Sequence, residues 1–78
     1  MALLRLPEVM RHSGYSRSML YYLVSQGLYP KPIKIGVRAV AWISAEVEAI
    51  GQARIAGKSI EEMKNLISQL QIARQGCV

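Results

Sequence analysis

The sequence predicts a mainly α-helical chain with a small β-hairpin: a winged helix-turn-helix followed by C-terminal helices. Three observations carry this. A break at Ser13-Gly14 separates two short amphipathic stretches, as in two helices joined by a glycine-containing turn. Directly after them, Pro30 and Pro32 force an extended path into Ile33-Lys34-Ile35, which Gly36-Val37 can turn and Arg38-Ala39-Val40-Ala41-Trp42 can return. Beyond Trp42 the residues read as helix again, with stop and start signals at Gly57 and Ser59.

Taken in order, Leu4-Arg5-Leu6 alternates and supplies a brief strand or an extended lead-in. Pro7 suits the first helical position, where its missing amide costs nothing. Glu8 follows in the first turn, favourable to the helix dipole. Leu6, Val9 and Met10 point inward, and the helix ends near His12, which caps that end or faces solvent. The second helix starts at Ser16, whose hydroxyl can accept from an orphan amide, and stops at Gly27, suited to a left-handed terminator. Leu20, Leu23 and Val24 form its buried stripe. At about 100° per residue, Ser18, Tyr22 and Ser25 fall opposite that stripe. Arg17 and Tyr21 lie on one shoulder, Met19 and Gln26 on the other.

In the hairpin, Val40 and Trp42 share a face, and Trp42 is expected to anchor the core. Lys34 and Arg38 lie near the tip. Ser44 is expected to cap the third helix, with Glu46 in its first turn and Val47, Ile50, Arg54 and Ile55 on its inner side. Gly51 weakens that helix by about 1 kcal/mol relative to Ala. Ser59 and Glu62 fit a capping box that opens a last helix from about Ile60 to Ala73. Its stripe of Ile60, Met63, Leu66, Ile67, Leu70 and Ala73 either folds back onto the core or pairs with a second copy. Gly76-Cys77-Val78 is expected to fray.

The 78 residues suffice for one small domain. No run of about 18 apolar residues is present to span a membrane, and the N-terminus has no long apolar stretch before a cleavage site. The expected location is the cytoplasm. One cysteine, Cys77, cannot form an internal disulfide, and a single His12 makes no metal constellation with it. Neither metal nor cofactor is expected. The acids offer no nucleophile–base arrangement, so the chain does not read as an enzyme.

Charge is distributed unevenly. Residues 1–42 hold six cations (Arg5, Arg11, Arg17, Lys31, Lys34, Arg38) against the single acid Glu8, whereas residues 43–78 hold four of each sign. The whole net charge of +5 therefore lies in the half with the turn, second helix and hairpin, an asymmetry that favours a polyanion. The outward surface of the second helix carries hydroxyls, phenols and a guanidinium without an acid. Such groups donate to phosphates, and Arg can read guanine in a major groove. The candidate DNA-binding residues are Ser16, Arg17, Ser18, Tyr21 and Tyr22 on the helix, with Lys31, Lys34 and Arg38 around the wing. Arg17 and Ser18 are placed for bases. Tyr21, Lys31, Lys34 and Arg38 are placed for phosphates, with Arg38 able to reach a narrow minor groove.

Leu6-Pro7-Glu8-Val9, Gly14-Tyr15-Ser16-Arg17-Ser18, Leu20-Tyr21, Pro30-Lys31-Pro32, Arg38-Ala39-Val40-Ala41-Trp42 and Ser44-Ala45-Glu46-Val47 occur in an order and spacing that resembles the AlpA family of phage and prophage regulators. The resemblance covers residue 4 to about residue 55. It implies a winged-helix DNA-binding protein, related to excisionases and more distantly to MerR-type heads, that regulates the integration and excision genes of a prophage or integrative element. By position, Ser16, Arg17, Ser18 and Tyr21 match the start of the family's recognition helix. Arg38 matches the wing, and Trp42 the aromatic that closes the hairpin on the core. Met19 stands where the family often has a small hydroxyl residue and Tyr22 where it often has a basic one, so the target sequence is not carried over.

The expected division is a winged helix-turn-helix DNA-binding domain at 1–56 and a helical extension at 57–78. The expected partner is double-stranded DNA, with an integrase or a second copy engaging the last helix. Two alternatives follow. One is an excisionase that bends DNA and contacts an integrase. The other, of a different class, is an adaptor or anti-regulator that binds protein through the stripe from Ile60 to Leu70.

Overall fold

Seven elements follow one another in a computed structural model that describes residues 2–75: β1 (Leu3–Leu4), α1 (Leu6–Ser13), α2 (Arg17–Ser25), β2 (Ile33–Lys34), β3 (Val40–Ile43), α3 (Ser44–Ile55) and α4 (Ile60–Gln75). The winged helix-turn-helix is present, with helices predominating. The expectations for Gly76, Cys77 and Val78 lie outside the described residues.

The sheet has one strand more than the hairpin. Its order is β1-β3-β2, all antiparallel. β2 and β3 are the two arms of the wing, pairing Ile33 with Ala41 and Lys34 with Val40. β1 closes the other edge of β3, pairing Leu3 with Ile43 and Leu4 with Trp42. This brief strand ends before Arg5, and Leu6 already belongs to α1. Pro7 is accordingly the second helical residue, not the first, and it still needs no amide partner there. With a neighbour on each edge, β3 is the central strand, and Ala41, Trp42 and Ile43 are all buried.

Local chemistry sets the helix ends. Gly14 adopts φ 77° after α1, its amide donating to the Met10 carbonyl. At the end of α2, Gly27 adopts φ 73° and the Leu28 amide reaches back to the Leu23 carbonyl at 2.9 Å, a glycine-dependent stop. α4 opens with the expected reciprocal box: the Glu62 amide donates to the Ser59 hydroxyl at 3.2 Å, and the Ser59 amide to the Glu62 carboxylate at 3.1 Å. Those bonds, with Lys58 nearby, hold the Glu62 carboxyl below its ordinary pKa.

Ser44 does not cap α3. Ile43 occupies the cap position, and Ser44 is the first helical residue. Its hydroxyl accepts from the Ala2 amide at 3.2 Å and its own amide donates to the Ala2 carbonyl at 2.9 Å. The N-terminal strand therefore claims the serine that sequence assigned to the helix. Ile55 is also corrected: it is 89% exposed. The buried face of α3 is Glu46, Val47, Ile50 and Ala53, and Ile55 lies two residues, about 200°, beyond Ala53.

One core joins the elements. Val9, Leu20, Tyr29, Trp42, Val47, Ile50 and Ile67 are buried together, and Met63, Leu66 and Leu70 pack against them. α4 thus folds back, and most of its apolar stripe is spent inside. Ile60 and Ala73, assigned to that stripe, are exposed. Arg74 takes the last inward position instead, one turn beyond Leu70. It binds Glu46 through two N–H donors, one at 3.2 Å to Oε2 and a second to Oε1, and donates to the Lys31 carbonyl at 3.2 Å. Glu46 lies in the first turn of α3, as expected, and is 5% exposed. Among the described residues, no helix is long and apolar enough to cross a membrane.

Candidate nucleic-acid interface

α2 is presented by its two ends. Ser16, in extended conformation, accepts from the Met19 amide at 3.2 Å, so one orphan donor of the first turn is satisfied. The Ser13 hydroxyl accepts from the Tyr15 amide at 3.2 Å and shapes the turn before it. Arg54 reaches across from α3: an N–H donates to the Ser13 carbonyl at 2.8 Å, and the guanidinium lies 4.5 Å over the Tyr15 ring. Arg54 was expected on the inner side of α3. It is instead an exposed strut between α3 and the turn.

Leu20 is fully buried beneath α2, with Leu23 and Val24 packed beside it. That orientation leaves Ser16, Arg17, Ser18, Tyr21 and Tyr22 exposed. Arg17 has no carboxylate within ion-pair distance among the described residues. Ser25 faces outward too, but its hydroxyl donates back to the Tyr22 carbonyl at 2.6 Å. The two tyrosines differ. Tyr22 is 58% exposed and Tyr21 38%, because the Tyr21 ring meets Trp42 edge-on at a centroid distance of 6.2 Å.

Trp42 is the joint between helix and wing. It is fully buried, its indole N–H donates to the Pro30 carbonyl at 2.9 Å, and its ring touches Tyr21. One side chain therefore ties α2, the proline segment and the central strand, as expected of a core anchor. Lys34 projects from β2, opposite Val40, and is exposed. Arg38 sits in the loop between the strands, which the Ile35 amide closes by donating to the Ala39 carbonyl at 3.0 Å. Beside it Val37 is 94% exposed. Lys31 is exposed at the foot of the wing, where its carbonyl is held by Arg74.

The fold thus links Arg17, Ser18, Tyr21 and Tyr22 on one helix to Lys34 and Arg38 on the wing through Trp42. Lys31 stands apart, near the Glu46–Arg74 pair. Sequence reasoning missed two supports, the contacts of Arg54 and of Arg74, and placed the brief N-terminal strand one residue late. Only Arg74 left a signal, as a cation one turn past Leu70 in an apolar stripe. Among the described residues no three His, Cys, Asp or Glu side chains are grouped to hold a metal.

Residues 2–55 match the family model described as prophage CP4-57 regulatory protein (AlpA). The match ends with the last residue of α3 and leaves α4 outside it. The chain is also 46% identical over 55 residues to an uncharacterized protein, ORF88, of Enterobacteria phage P4. That alignment covers 70% of this chain and 62% of the relative, so the chain spans less than two thirds of the length of the relative it matches. With more than half of its residues matched in sequence, the chain belongs to the AlpA family of prophage regulatory proteins.

Proposed function

We propose that this chain is a sequence-specific DNA-binding transcriptional regulator of prophage or integrative-element genes. α2 enters the major groove and the basic wing grips the flank. The observation that carries the reading is the outward face of α2: Arg17, Ser18, Tyr21 and Tyr22 are exposed there, without an acid, on a helix fixed at both ends and joined to the wing through Trp42. Arg17 and Ser18 reach base edges. Tyr21, Lys34 and Arg38 hold phosphates, and Lys31 adds a weaker contact from the wing's foot. Family membership supports a regulatory role in a phage context. Gel shifts with the element's own integrase and attachment region, against random DNA and across a salt series, test the reading. A discrete complex that survives random competitor is the expected result. Loss of the complex to any DNA alike would refute sequence recognition.

A second reading, an excisionase that bends DNA, is favoured by Val37. An apolar side chain at the outermost point of a basic loop can wedge between base steps and kink a duplex. It predicts stepwise binding to repeated sites and a bend visible in circular-permutation gels. Most of the surface assigned to the adaptor reading is turned inward, because Ile67 is buried and Met63, Leu66 and Leu70 pack on the core, while Ile60 stays exposed.

A further inference from the structure

A half-open cavity of about 190 Å³ lies where the end of α2, the end of α3 and the start of α4 meet. Leu23, Leu28 and Met63 supply apolar wall, and Ile60, 65% exposed, overhangs the mouth. The polar lining is cationic or phenolic throughout: Tyr15, Tyr29, Arg54 and Lys58, with no acid among the lining residues. The size suits one ring, since a cavity of about 150 Å³ lined by aliphatic side chains holds benzene.

Two of these groups have binding capacity to spare. Arg54 donates to the Ser13 carbonyl and has no carboxylate within ion-pair distance among the described residues, which leaves further N–H donors of its guanidinium. Tyr29 is 2% exposed, yet its hydroxyl has no hydrogen-bond partner among the described residues. No side-chain polar atom there is sealed away without a partner, so the hydroxyl keeps some accessible surface, and Tyr29 lines this cavity as well as a smaller one beside it. Burial raises the phenol's pKa to about 12, so it stays a donor. Lys58 stands at the rim, 3.7 Å from Glu62, in a half-exposed pair that costs little to open.

We propose that this cavity binds a small carboxylate bearing one apolar ring. The ring lies between Leu23, Leu28 and Met63. The carboxylate meets Arg54 and Lys58 and accepts a hydrogen bond from the Tyr29 hydroxyl. Charge complementarity selects this occupant: two cations and a buried donor face an apolar floor, and the volume excludes a helix or a nucleotide.

The test is a titration of the full chain, without DNA, by ¹H–¹⁵N correlation spectroscopy. Phenylacetate is the probe, with benzyl alcohol and acetate as controls. Phenylacetate is expected to shift the Tyr15, Leu28, Arg54 and Met63 amides saturably, at least tenfold more tightly than either control. R54Q weakens binding about tenfold. Y29F, which keeps the ring and its packing, weakens it severalfold while the protein remains folded. Benzyl alcohol binding as tightly as phenylacetate would overturn the proposal, as would saturable shifts confined to the outward face of α2, or no saturable shift at all. A dimer in sedimentation, closed over Ile55 and Ile60 and indifferent to phenylacetate, would assign the cavity to an interface and overturn it equally. Because DNA is absent, failure here leaves the DNA reading standing, and failure of the gel shift leaves this one.

Discussion

Replacing Arg74 by Met should cost this domain about 2 kcal/mol. Arg74 is the partner of Glu46, whose side chain is only 7% exposed. Breaking a buried ion pair by removing one member costs about 3–5 kcal/mol, because a charge is stranded. The Arg74 side chain keeps 23% of its exposure and sits in the last turn of α4, so water can reach the carboxylate, and the lower figure of about 2 kcal/mol follows. The loss is a large share of the roughly 4–12 kcal/mol expected for a chain of this length, and should lower Tm by roughly 8–16 °C. E46Q, which still offers Arg74 an acceptor, should cost about 1 kcal/mol. E46L combined with R74M should return close to the parent stability, because an apolar pair replaces the ionic one. Urea denaturation followed by circular dichroism measures all three, and E46L alone, with unchanged m-values as the sign that only stability moved. An R74M loss below about 0.5 kcal/mol, or a double variant as costly as its single changes added together, would refute the assignment of Glu46 as a charge that needs Arg74.

Three further outcomes are expected. S16A removes the cap on the Met19 amide and should destabilise the fold by about 1 kcal/mol in the same denaturation assay. Tyr29 has a folded pKa of about 12, above the ordinary phenol value, because burial opposes its ionisation. The stability tied to its neutral form is fully present below about pH 10 and lost as pH rises through about 12. A pH titration of phenolate absorbance should therefore show a late-titrating Tyr29 component that Y29F lacks. Under the proposed DNA reading, R17A should cost about 1–3 kcal/mol on the cognate site and relax preference at one base pair. K34A should weaken all sequences alike and lower the salt slope by about 0.9. Equal weakening on every sequence by R17A would remove its base-reading role.

The parts legible in the sequence were those whose cause is local. Ser16, Gly27 and the Ser59–Glu62 box each act within a few residues of themselves, and each took the expected place. Trp42 was legible as an anchor because a large aromatic on the inward face of a short strand has nowhere else to go. What escaped depends on partners far along the chain. A brief strand was expected near Leu4, but its pairing along the far edge of β3 was not. Ser44 was diverted by Ala2, and Glu46 was buried because Arg74 arrives from 28 residues away. Ile55 misled because hydrophobicity was weighed over angular position. At the candidate interface, the exposure of the α2 face followed from the buried stripe at Leu20, Leu23 and Val24. The strut that Arg54 makes to the helix-turn-helix could not be read, since no pattern in the sequence points from α3 to the Ser13 carbonyl.

Trp42 is the chain's single tryptophan, and it stands at the junction of the wing, the proline segment and α2. The protein therefore carries a built-in optical probe at its articulation. Its indole, shut away from water and hydrogen-bonded at one end, should emit at short wavelength, with Tyr21 close enough to feed it excitation energy. Any event that pries the wing from the helix must wet that ring and break its contact with Tyr21. A red shift with loss of the tyrosine contribution would report such an opening without a label. An unchanged spectrum through a binding event would mean that wing and helix travel as one rigid piece.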